Sequence, residues 1–90
     1  MSDEEIYNSI TLGMSQAEVE KRVGKPHAPV SHGLAFYGGP PRAEWDPYGS
    51  RSMPFNVVVV YSTNHTLIYR SLLVGPDTEW KIEGQFEPHP

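Results

Sequence analysis

Four histidines, His27, His32, His65 and His89, are the first candidates for chemistry in this chain of 90 residues. Zinc needs three or four converging ligands. His27 and His32 stand five apart in a proline-containing stretch, no His pair has the i, i+4 spacing of one helix face, and only distant Asp or Glu would complete a set. Ser, His and Asp all occur, but no Gly-x-Ser-x-Gly turn presents a nucleophile. The paired carboxylates are equally uncommitted, because Glu18 and Glu20 fall on different sides of a helix while Asp77 and Glu79 flank a turn. Gly38-Gly39-Pro40-Pro41 lacks the Lys and Ser/Thr of a phosphate loop, and its prolines remove the backbone donors a phosphate would use. Asn64-His65-Thr66 fits a glycosylation acceptor but also supplies ordinary turn residues. There is no cysteine, so thiol nucleophiles, Cys-ligated metals and a lipidated Cys are excluded. On these grounds the chain has no catalytic residue, no cofactor-binding residue and no metal ligand, and is expected not to be an enzyme.

The stretch from Arg42 to Arg51, which holds Trp45, Pro47 and Tyr48, carries more chemistry than its structure requires. Trp, Tyr and Arg dominate binding hot spots because they bury large area at low entropic cost and keep a polar handle. On a proline-stiffened loop they are partly preorganised for a partner. Trp45, Tyr48 and Arg51 are therefore the candidate partner-binding residues. The competing reading has Trp45 and Tyr48 folding back to cap the sheet.

These residues need a scaffold, and composition bounds it. Ninety residues suit one domain, and 38% hydrophobic residues suit a packed core. Nine prolines and eight glycines exceed the roughly 12% that the two together usually contribute, so much of the chain is turn and loop. A net charge of −4 with scattered cations disfavours nucleic acid. No stretch approaches the length of apolar sequence that spans a bilayer, and Met1-Ser-Asp-Glu-Glu5 is acidic where a signal peptide is basic. As written the chain is expected to be cytoplasmic, without membrane insertion; a processed, exported form would be periplasmic.

Ser2 and Glu5 form a capping-box pattern, which predicts a short helix over about 3–9 with Ile6, Tyr7 and Ile10 on one face. Ser15 and Glu18 repeat it for a second helix, with Met14 and Val19 as a hydrophobic staple and Gly24 and Pro26 as the stop. Leu34–Tyr37 is a short strand candidate, and 38–54, with three Gly and four Pro, is a long loop. The run Asn56–Ser62, rich in β-branched and aromatic residues, predicts a strand buried on both faces or nearly so. Thr66–Val74 is its return, with Leu67, Tyr69 and Leu73 on one face and Ile68, Arg70, Leu72 and Val74 on the other. Trp80–Glu83 is a candidate fourth strand, and 87–90 a tail with nothing to pack against. The expected fold is α+β: two short N-terminal helices packed on an antiparallel sheet of three to four strands, one domain over 1–86.

Gly13-Met14-Ser15-x-x-Glu18-Val19-x-x-x-x-Gly24-x-Pro26 resembles the signature of the SmpA/OmlA (BamE-like) family, whose fold is shared with β-lactamase inhibitor proteins. The resemblance implies two short helices on a three-stranded antiparallel sheet, used to bind other proteins without catalysis, with the signature residues as scaffold. It covers 14 residues directly. The chain departs from the family in lacking the lipidated Cys and signal peptide, in placing Arg22 where an aliphatic residue is usual, and in the length of 38–54.

The expected function is thus a small protein-binding module, an inhibitor or assembly factor acting on another protein through the outer sheet face and loop 38–54. The alternatives are a structural subunit that homo-oligomerises through its sheet, and a small His-dependent metal-binding protein or enzyme using His27, His32 and a carboxylate.

Overall fold

A computed structural model of the chain describes residues 1–38, 56–74 and 79–90. Helix α1 spans Asp3–Ser9, α2 Gln16–Val23, and four strands follow: β1 Leu34–Tyr37, β2 Val57–Tyr61, β3 Leu67–Leu73 and β4 Trp80–Gly84. They form one antiparallel sheet in the order β1-β2-β3-β4. The fold is α+β, as the residue patterns predicted, with a complete fourth strand.

Local chemistry accounts for the helix ends. The Ser2 hydroxyl accepts from the Glu5 N–H at 3.1 Å while the Ser2 N–H donates to the Glu5 carboxylate at 3.0 Å, so α1 has the full reciprocal box. That box holds the Glu5 carboxyl below its ordinary value, chiefly through the Ser2 backbone N–H. For α2 only half of the box forms. Ser15 accepts from the Glu18 N–H at 3.1 Å, but the Glu18 carboxylate turns to Arg22 at 3.5 Å instead of back to the cap. The cap has another hold: Gln16 N–H donates to the His65 carbonyl, and Gly13 and Met14 bond Leu67 at 2.8 and 2.7 Å, stitching the helix start to the β2–β3 turn.

The sheet has two unlike faces. Toward the helices, Ile6, Tyr7, Ile10 and Val19 pack on Ala35, Tyr37, Val57, Val59, Tyr61, Leu67 and Leu72. On the far face Val58, Val60 and Tyr69 form a smaller cluster with Leu34, Phe36, Ile68 and Trp80. Every residue of β2 is buried, which explains its unbroken apolar run.

The two-residue alternation expected of β3 fails at its start. Val60 pairs Tyr69 but Tyr61 pairs Leu67, so Ile68 is an extra residue opposite the β2 strand. A bulge of this kind reverses the parity of everything before it. Leu67 therefore joins Leu72 among the helices, while Ile68 faces the other way with Tyr69. Gly84 answers the bulge from β4: its φ is +89°, and a Cβ there would meet the Ile68 carbonyl oxygen, so no side chain fits.

The tail after β4 is tied in two places. Gln85 N–H donates to the Ile68 carbonyl at 3.0 Å and His89 N–H to the His32 carbonyl at 2.8 Å, carrying Phe86 onto Tyr69 edge to face at 5.2 Å. Residues 87–90, expected to find nothing to pack against, thus lie across one end of the far face, with the His89 ring against Gly33. Glu87, Pro88 and Pro90 remain exposed.

Candidate functional site

The helices cover one face of the sheet, and the other carries the candidate site. In β4 the apolar residues Trp80 and Ile82 alternate with Lys81 and Glu83, and pairing Trp80 to Leu73 and Ile82 to Ser71 sends their side chains away from the helices. Phe86 follows on the tail. Val58, Tyr69, Ser71, Trp80, Ile82 and Phe86 enclose a shallow depression of about 220 Å³. Ile82 is 59% exposed and Phe86 55%, whereas core apolar residues are below 10%. Ile82 and Phe86 are thus large apolar side chains left open beside one hollow. Ser71 contributes no free polar group, since its hydroxyl donates to the Val58 carbonyl at 3.3 Å.

A second, polar groove of about 400 Å³ lies between α2 and residues 25–30, lined by Gln16, Glu20, Lys25 and His27 among others. Its charges are largely spoken for: Gln16 donates to Glu20 at 3.0 Å and Lys25 stands 3.8 Å from Glu20. Beneath it are two buried phenols. Tyr37 donates to the Gly24 carbonyl at 3.1 Å, and burial, helped by the Glu20 charge, pushes its hydroxyl up to about 12. The Tyr61 hydroxyl sits beside it, raised further by burial and then by Tyr37; the Tyr37 hydroxyl is its polar neighbour, although no hydrogen bond of full geometry reaches it among the described residues. Neither phenol is poised to ionise near neutral pH, so the cluster offers no base.

Compared with known protein families, curated proteins and solved structures, the chain matches none.

Of the residues singled out in the sequence, Trp45, Tyr48 and Arg51 lie in 39–55, outside the described residues. The four histidines do not gather into one cluster: only His32 and His89 meet, through the 2.8 Å backbone bond. His27 Nε2 contacts the Gly38 carbonyl at 2.9 Å, and His65 occupies a turn at φ +61°. Among the described residues no three His, Asp or Glu are placed to share a metal ion, and no helix is long and apolar enough to cross a membrane. The sequence places Trp80 and Ile82 in a candidate fourth strand and points to binding by the outer sheet face, but it gives neither of them, nor Phe86, a role in a site. Their signal was present in the alternation of Trp80 and Ile82 with charged neighbours, but only the placement of both helices on the other side leaves that face without a helix among the described residues.

Proposed function

We propose that this chain is a non-enzymatic protein-binding module that engages another protein through its helix-free sheet face. One observation carries the reading: Trp80, Ile82 and Phe86 surround an apolar hollow on a face that the chain's own helices leave uncovered. Aromatic side chains around a shallow apolar depression are the usual anchors of a protein interface. The resemblance of residues 13–26 to the SmpA/OmlA signature supports the same class by analogy. Action as an inhibitor or assembly factor, with Trp45, Tyr48 and Arg51 extending the contact, is the finer form of the proposal.

The test compares the proteins captured by the wild-type chain with those captured by Trp80→Ala, Phe86→Ser and single Ala variants of Trp45, Tyr48 and Arg51. The expected result is a partner whose affinity falls at least about tenfold with Trp80→Ala or Phe86→Ser while the thermal transition is retained. Equal affinity for both folded face variants would overturn the placement.

A further inference from the structure

The two edges of the sheet are treated differently. On β1 outward groups find partners within the chain: Leu34 exchanges both its N–H and its C=O with Ser31 at 2.9 and 3.1 Å, and the Phe36 carbonyl accepts from the His27 N–H at 3.1 Å. On β4, among the described residues, they do not. Val74 N–H donates to Glu79 O and Gln85 N–H to Ile68 O, which sets the phase of the ladder between them. Lys81 and Glu83 therefore bond β3, and the N–H and C=O groups of Trp80 and Ile82 point outward, with no group facing them among the described residues. An unpaired edge without proline is a template for another strand.

We propose that two copies of this chain associate through β4, pairing antiparallel about a two-fold axis at Ile82 and joining their sheets into one of eight strands. The charges on β4 select this partner and this register. With Ile82 opposite Ile82 of the second copy, Lys81 stands opposite Glu83 of that copy, and Glu83 opposite its Lys81. Both pairs are non-hydrogen-bonded, the positions where cross-strand side chains approach most closely. Sliding the two-fold to Lys81 sets Lys81 against its own copy, and sliding it to Glu83 sets Glu83 against itself; like charges directly opposite oppose both. The central register also overlaps all five residues of β4, and sets Trp80 against Gly84, which has no side chain to obstruct the indole.

Glu83 serves both sides. Its two oxygens accept from Arg70 of its own chain at 3.2 and 3.3 Å, and it is still 47% exposed for Lys81 of the second copy. A two-fold contact of this kind is closed, so it ends at the dimer. Its small area places it among weak interfaces. The proposal goes beyond the partner-binding reading: it uses the strand edge, and it doubles the apolar face while leaving that face open.

Sedimentation equilibrium of the full chain from about 10 µM to about 1 mM should show a monomer–dimer equilibrium, with amide exchange at Ile82 slowing as concentration rises. Ile82→Pro removes the central donor without taking a bond from the β3–β4 ladder, and is expected to leave a folded monomer. Lys81→Glu should weaken the dimer about tenfold, and mixing it with Glu83→Lys should restore association in the mixture above either variant alone. Phe86→Ser should leave the dimer intact, which separates this edge contact from partner binding by the face. A monomer at every concentration would overturn the proposal. So would a dimer indifferent to Ile82→Pro, or, if that variant fails to fold, exchange at Ile82 that does not respond to concentration.

Discussion

The guanidinium of Arg70 lies 4.1 Å from the centroid of the Tyr7 ring and donates from Nη1 at 2.7 Å to the carbonyl oxygen of the same tyrosine. The same nitrogen donates to the Ile10 carbonyl at 2.7 Å, so one strand side chain closes the C-terminal end of α1, which has no basic residue of its own in its last turn. Glu83 holds the guanidinium from the opposite side.

Arg70→Ala should cost about 3 kcal/mol in urea unfolding, because two charge-assisted bonds to α1 carbonyls, the stacking on Tyr7 and the pairing with Glu83 are lost together. Arg70→Lys should recover less than half, since a single ammonium cannot stack on the ring while meeting both carbonyls and the carboxylate.

Tyr61→Phe should change stability by no more than about 1 kcal/mol, because the buried hydroxyl it removes leans only on the Tyr37 hydroxyl and makes no hydrogen bond of full geometry among the described residues. The same measurement at alkaline pH tests the phenols. Both pKa values are raised in the folded state, so the stability they contribute is complete below the ordinary value of 10 and is lost as pH rises through about 12 for Tyr37. Tyr61→Phe should reduce that alkaline loss.

Acid should act at the other end of the chain. The Glu5 carboxyl is lowered by the Ser2 N–H, so its stabilising effect is present above the ordinary 4.5 and disappears as pH falls through the lower folded value. Glu5→Gln keeps an acceptor for that N–H and should flatten this part of the stability–pH curve while leaving the helix in place.

Gly84→Ala should be more damaging than its exposure suggests, by about 2 kcal/mol or more, because it combines a φ of +89° with a Cβ directed at the Ile68 carbonyl. Faster amide exchange at Gln85 and His89 should accompany the loss, since both anchor the tail beyond this position.

Much of the architecture is local and was legible. Serine caps, the acidic first turn of α1, Gly24 with Pro26, and the apolar run within 56–62 each act within a few residues, so pattern alone predicts two helices and the four strands, with the bounds of β2, β3 and β4 off by a residue. The candidate site was less legible. An aromatic loop was the stronger signal in the sequence, whereas Trp80, Ile82 and Phe86 look ordinary until the face they occupy is known to lack helices.

Sequence by itself determined where this chain folds into helix, strand and turn, because those choices depend on spacing, caps and β-branching between near neighbours. Tertiary structure decided which side each residue faces and which groups remain unpaired. The extra residue at Ile68 exchanges two faces of β3, Arg70 reaches α1 from 60 residues away in sequence, and among the described residues the β1 edge finds bonding partners while the β4 edge finds none. These depend on register and on contacts distant along the chain, where a shift of one residue reverses the outcome and no local pattern records it.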